Sequence, residues 1–225
     1  MGTDDLFKKK RLARKQRKSE TKIPRANSYL IVSEGEQTEP NYLNGIKKQI
    51  QESMGGQIDI DHKPIINVQG EGMNTVSLVE RTNEIVNRSK VIYQNIWIVM
   101  DKDDFEKFDE AISDAEKAGY KVAWSNQSFE YWLYLHFYYS DSALHRDLWC
   151  EKLTEIFATY GIGNGAYEKN DPLIFGHINE KGSVNTAIAN SKRRMAGFNK
   201  RSKPSQFDPG TTVHILVEEL LKYIQ

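Results

Sequence analysis

The chain has a single cysteine, Cys150, among its 225 residues. That excludes an intrachain disulfide and any zinc site built on four thiolates. Long apolar runs are missing too: none approaches the ~20 residues of a membrane-spanning helix, and the N-terminal stretch lacks the apolar core of a secretion signal. A cytoplasmic, reducing setting without a membrane partner is the expectation. The five histidines, His62, His136, His145, His177 and His214, are scattered, and none forms an H-x-x-x-H or H-E-x-x-H spacing. Net charge is also absent, at a formal zero, but the balance hides a division. Residues 1–25 hold ten Lys and Arg against three Asp and Glu, whereas the remainder holds 21 against 28.

The basic excess is concentrated in Lys8, Lys9, Lys10, Arg11, Arg14, Lys15, Arg17 and Lys18. So dense a run of one charge, with little apolar content, has no means of burying a core and is expected to be disordered when free. Two readings stand: an arm that contacts nucleic-acid phosphates in a salt-dependent way, or a solubilising tail. Beyond it, 39% hydrophobic residues suffice for one sizeable core. The expected division is a basic arm over 1–25, an α/β core over 26–140 and a helical extension over 141–225 packed on that core.

Pro24 to Ser28 reads as a linker. Tyr29–Ser33 is then a short apolar strand, and a helix follows Glu34–Glu39, with Pro40 at its first position and Tyr42, Leu43, Ile46 and Ile50 at helical spacing. Ile58–Val68 reads as a second strand and Asn74 or Thr75 as the cap of a helix through Arg88. Ile96–Met100, the most apolar run, is expected at the centre of a sheet. Helix Phe105–Ala118 and strand Lys121–Ser125 complete a β-α-β-α-β-α-β order, which implies a mostly parallel α/β sheet flanked by helices. Further helices are expected at 146–160, 183–195 and 211–223, with loops at 161–165 and 199–210.

Two of these strands stop abruptly in carboxylates. Tyr29–Ser33 runs into Glu34-Gly35-Glu36, and Ile96–Met100 runs into Asp101-Lys102-Asp103-Asp104. Carboxylates are poor strand residues and costly to bury unpaired. Both endings make sense if they open onto one solvated cleft at the carboxyl edge of the sheet, where open α/β folds bind ligands. Gly35 permits a tight turn or close approach to a ligand. Glu34 is then a metal ligand or general base, against the alternative of an exposed turn. Glu36 and Glu39 fall at a helix N-terminus, where negative charge is favourable without any catalysis. In extended backbone Asp101 and Asp103 share a face with Lys102 pointing away, and Asp104 is placed to cap the next helix. Hard oxygen donors suit Mg²⁺ or Mn²⁺. A D-x-D nucleophile of the haloacid-dehalogenase kind is disfavoured, because it belongs after a first strand rather than a third. Ser128 and Glu130 follow the fourth strand and reach the same edge. The aromatic run Phe129–Phe137 behind them is a packed helix or a base-stacking platform, and His136 within it a satisfied, semi-buried histidine rather than a ligand.

Together, strand–Glu-Gly followed by strand–Asp-x-Asp resembles the Toprim fold of topoisomerases, bacterial primases and overcoming-lysogenization-defect nucleases, a Rossmannoid sheet. More narrowly, IVSEGEQTEPNYL, VMDKDDF and SNQSFEYWLYLHF resemble the RloB family of bacterial restriction and phage-defence loci, as do Tyr167–Asn170 and Thr211–Leu220. The resemblance implies metal-dependent cleavage of RNA or DNA, with a defence-locus partner such as an ATPase. It implies Glu34, Asp101, Asp103 and Glu130 as the Mg²⁺ or Mn²⁺ site, aided by Ser128, and a basic residue completing it: Lys169, or alternatively one of Lys192 to Arg194. Nuclease members often carry an Asp four residues after the first glutamate; Thr38 stands there, with Glu39 beside it. The competing reading is a Toprim-like effector regulated by a partner and without activity of its own.

Overall fold

The computed structural model describes residues 27–55, 64–72, 77–199 and 201–224, and the backbone alone of 23–24 and 75–76. The basic run Lys8–Lys18 lies outside these residues, as does Asn74. In chain order the elements are β1 (Ile23–Pro24), β2 (Ser28–Ser33), α1 (Thr38–Ser53), β3 (Ile65–Gly70), α2 (Thr75–Arg88), β4 (Val91–Ile92), β5 (Asn95–Asp101), α3 (Phe108–Lys117) and β6 (Lys121–Asn126). There follow α4 (Phe129–Tyr134), α5 (Arg146–Tyr160), α6 (Ile174–Lys181), α7 (Val184–Ala196), a 3₁₀ turn at Pro204–Gln206, β7 (Gly210–Thr211) and α8 (Val213–Leu221).

The main sheet runs β3-β2-β5-β6-β7, so the most apolar strand is indeed central. The first four strands are parallel and β7 alone is antiparallel. Every residue of β2 is buried, as expected of a strand covered on both faces. Its alternation sorts the core into two layers. Tyr29 and Ile31, with Trp97 and Val99 of β5, pack among α1, α4, α5, α6 and α8. Leu30 and Val32, with Ile98 and Met100, pack against Leu78 and Val79 of α2 and Phe108, Ala111, Ile112 and Ala115 of α3. The first layer takes Tyr42, Trp132, Trp149, Phe157 and Leu216 into one cluster, so residues before and after 140 share a core.

From β2 the chain steps outward to β3, then returns past β2 to β5 on its other side. The carboxyl ends of β2 and β5 therefore flank the point where strand order reverses, which is where such sheets open a crevice.

Several expectations shift. Ile23–Pro24, read as arm and linker, pair in parallel with Val91–Ile92. Strand β3 starts at Ile65; residues 58–63, expected to open it, lie outside the described residues. Helix α1 begins at Thr38, which places Pro40 third. Asp104 caps no helix, because Asp103 takes a left-handed φ of 40° and the chain turns before α3 begins at Phe108. Helix α6 and strand β7 are additions to the expected elements. The aromatic run is a packed helix and not a stacking platform: Phe129, Tyr131, Trp132, Leu133 and Leu135 are all buried.

His136 is fully enclosed within that layer. Tyr42 O–H donates to its Nε2 at 2.9 Å and its Nδ1–H donates to the Trp132 carbonyl at 3.1 Å. Burial lowers its pKa to about 4 from 6.5. The folded chain therefore keeps it neutral while the unfolded chain takes up a proton, and stability falls as pH drops from 6.5 towards 4 by about 3 kcal/mol. Denaturant titrations at about pH 4.5 and pH 7 should show His136→Gln losing less stability on acidification than the wild type. Equal losses would assign the acid sensitivity elsewhere.

Candidate active site

The crevice is a cavity of about 370 Å³. The end of β2 supplies Glu34, Gly35 and Glu36; α1 supplies Thr38 and Glu39; the end of β5 supplies Asp101 and Asp103. Ser128, Phe129 and Glu130 enter from α4, Arg146 from the first turn of α5, and Lys169 from the loop before α6. The spatial convergence of residues 34, 101, 103 and 130 is thus realised, with Lys169 rather than Lys192–Arg194 on the wall. Lys192 is paired with Glu218, Arg193 lies over the Tyr139 ring, and Arg194 is bonded to the carbonyls of Asp208 and Pro209.

Backbone ladders aim the acids. Glu34 N–H donates to Val99 O at 3.0 Å, tying the end of β2 to β5. Strand pairing ends at Asp101, opposite Ser125. Asp103 then reaches the cavity through its left-handed turn and not by strand alternation, with its N–H on Gln127 O at 3.0 Å. Phe129 N–H donates to Asp101 Oδ2 at 2.9 Å, so the first turn of α4 offers a backbone donor to that carboxylate.

Glu39 is the residue whose role sequence reasoning understated. It is 6% exposed, and its pKa is pushed up to about 7 by burial and by the charges of Glu130 and Glu34. Backbone N–H groups of Glu39 and Gly35 oppose that rise. Gly35 leaves room for that carboxylate: a Cβ on it would lie 2.2 Å from Glu39 Oε2 and push the end of the Glu39 side chain aside. Asp101 is raised well above the usual carboxylate range, first by burial and then by Glu39 and Glu130. Burial also raises Asp103, with Arg146 opposing. Such mutual elevation marks carboxylates crowded without a sufficient counter-charge.

Protein cations answer two of the acids. Arg146 Nη1 donates to Asp103 Oδ2 at 2.7 Å, and Lys169 Nζ lies 3.3 Å from Glu130 Oε1. Tyr167 O–H also donates to Glu130 Oε1, at 3.0 Å. The thiol of Cys150 is pushed up to about 11 by burial and by Glu130, and so is no nucleophile. Thr38 spends its hydroxyl on the Lys169 carbonyl at 2.9 Å and pins that loop to α1.

Three buried oxygens of the cavity wall, Asp101 Oδ1, Asp103 Oδ1 and Ser128 Oγ, have no hydrogen-bond partner. Buried polar atoms are ordinarily satisfied, and an all-oxygen set of this kind fits a hard divalent cation. Among the described residues, no three His, Cys, Asp or Glu side chains are arranged to hold a metal as they stand. Asp103 and Glu130 each face a protein cation instead, Arg146 and Lys169.

Fold and site together define a mostly parallel α/β protein with an acidic, oxygen-lined pocket at the reversal of its strand order. The chain belongs to the family described as RloB-like protein, whose model matches residues 29–220. Comparison with curated proteins and with solved structures finds no match. No helix among the described residues is long and apolar enough to cross a membrane.

Proposed function

We propose that this chain hydrolyses phosphodiester bonds of nucleic acid, RNA (tRNA included) or DNA, in a Mg²⁺- or Mn²⁺-dependent reaction of bacterial anti-phage defence, on a Toprim-like sheet. The observation that carries the reading is the unpartnered Asp101 Oδ1 among Glu39, Glu130 and Asp103. Asp101, Glu39, Asp103 and Glu130 would hold the cation. The chemistry it would supply there is Lewis-acid polarisation of the scissile phosphate and a lowered pKa for bound water.

The chain's own groups do the rest. Glu34, at the strand end beside Glu39, accepts the proton of the attacking water. Lys169 and Arg146, on the cavity wall, offset charge that develops on the phosphate. Phe129 N–H and Tyr167 O–H fix the carboxylates of Asp101 and Glu130 in place. The arm Lys8–Lys18 would add salt-dependent affinity for the same polyanion, and localisation is cytoplasmic on this reading.

The two ion pairs favour a second reading, a partner-regulated effector silent on its own, because Arg146 and Lys169 already neutralise two of the acids. One experiment separates the two. Purified chain with Mg²⁺ or Mn²⁺ is given labelled tRNA, single-stranded DNA and duplex DNA beside Asp101→Ala. Cleavage lowered about 10³-fold or more by the substitution is expected. Cutting that survives it would come from a contaminant, and wild type inert on every substrate would favour the regulated effector with an ATPase or other defence-locus partner.

A further inference from the structure

Arg146 lines the pocket although neither the strand-end motifs nor the family resemblance pointed to it, and its setting differs from that of Lys169. Glu130 keeps the Tyr167 hydroxyl if Lys169 moves away. The Asp103 carboxylate has Arg146 as its one hydrogen-bond partner among the described residues, with the charge of Lys169 acting on it from farther off: its Oδ2 accepts the guanidinium at 2.7 Å and its Oδ1 is buried without a hydrogen-bond partner. The two side chains are also half-exposed, 40% for Arg146 and 36% for Asp103, so this pair is neither sealed nor strong.

The backbone on both sides is fixed. Asp103 is held by the bond of its N–H to Gln127 O, and α5 is anchored by Trp149 and Leu153, both fully buried. Arg146 sits in the first turn of that helix, where a cation is disfavoured by the helix dipole. A guanidinium there spends Nη1 on Asp103, its one hydrogen bond among the described residues, and its remaining N–H donors are left to engage an incoming anion. The two non-bridging oxygens of a phosphodiester match an arginine fork as a carboxylate does.

We infer that Arg146 is an exchangeable counter-ion: it occupies Asp103 in the free protein and passes to a phosphodiester when nucleic acid enters, which releases Asp103 for a divalent cation. The inference rests on the phosphodiesterase reading above. It makes the free chain a weak metal binder, since a cation must first displace the guanidinium. It also makes metal and diester bind cooperatively, and by linkage each raises the affinity for the other equally.

The test is calorimetric titration of Mn²⁺ into the full chain, with and without dimethyl phosphate as the diester probe. Arg146→Gln should bind Mn²⁺ about tenfold more tightly than the wild type. Dimethyl phosphate should strengthen Mn²⁺ binding by the wild type, and this gain should shrink roughly threefold or more in the variant. The half-exposed position makes Arg146→Gln compatible with the fold, and Arg146→Ala repeats the measurement. If Asp101→Asn removes Mn²⁺ binding but Arg146→Gln binds no more tightly than the wild type, the exchange is wrong and the metal site stands. If neither wild type nor Arg146→Gln binds Mn²⁺, or if Asp101→Asn leaves binding unchanged, the metal reading itself fails and the exchange with it.

Discussion

Glu39→Gln should melt above the wild type at about pH 8, and the advantage should vanish by about pH 4.5. Burial and two neighbouring carboxylates raise Glu39 to about 7 from an ordinary value of 4.5. A carboxyl raised in the folded state stabilises fully when protonated in both states, below its unfolded value, and loses that contribution as pH rises through the folded value. The wild type therefore forfeits about 2–3 kcal/mol between roughly pH 4.5 and pH 8 that the neutral amide does not. For a chain of this size that is roughly 5–10 °C in melting temperature. Saturating Mg²⁺ should narrow the gap by binding only the folded wild type. A variant that melts at or below the wild type in metal-free buffer at that alkaline pH would show that the acid cluster stores no repulsion. On the proposed phosphodiesterase reading the same substitution should also abolish cleavage, so stability and activity should move in opposite directions.

The second large effect concerns the contact between α1 and α6. A Cβ on Gly45 would lie 2.4 Å from Phe175 Cβ and 2.9 Å from its Cγ. These are not the far end of a flexible chain, so the helices themselves must part. Gly45→Val should cost about 3 kcal/mol by chemical denaturation, outweighing any gain in helix propensity. Gly176, within α6, has nothing within 4 Å of its would-be Cβ, so Gly176→Ala should instead stabilise by about 1 kcal/mol. If both changes stabilised, helix propensity rather than packing would govern these positions. The contact also matters for the site, because α6 follows directly on the Lys169 loop that Thr38 pins to α1.

Most of the sheet was legible because its strands are short apolar runs that end in charge. Tyr29–Ser33 and Ile96–Met100 declare both their burial on two faces and the edge at which they open. The placing of Glu34, Asp101 and Asp103 at that edge came from the same strand endings, and that of Glu130 from its position just after the fourth strand. Glu39 was read too mildly, since an acid in a first helical turn is favourable for local reasons and its burial depends on Glu130, far along the chain. Arg146 carried one faint signal, a cation at a helix start where the dipole opposes it. Asp103 reached the expected place by an unexpected route, a left-handed turn that no alternation rule describes. Helix α6 is eight residues long with a glycine in its middle, too short and too interrupted for periodicity to register. Two-residue β7 has no pattern of its own and exists through bonding to β6.

That small antiparallel strand has a consequence for biosynthesis. Thr211 binds the edge of β6 through its hydroxyl, at 3.0 Å from Trp124 O, and α8 adds Val213, Leu216, Val217 and Leu220 to the first core layer. A ribosome that has extruded only the segment before β7 therefore presents an open β-edge, which other strands can pair with. A chain cut before Gly210 should therefore give a lower soluble yield than the full chain, because the exposed edge and the uncovered core layer both favour association.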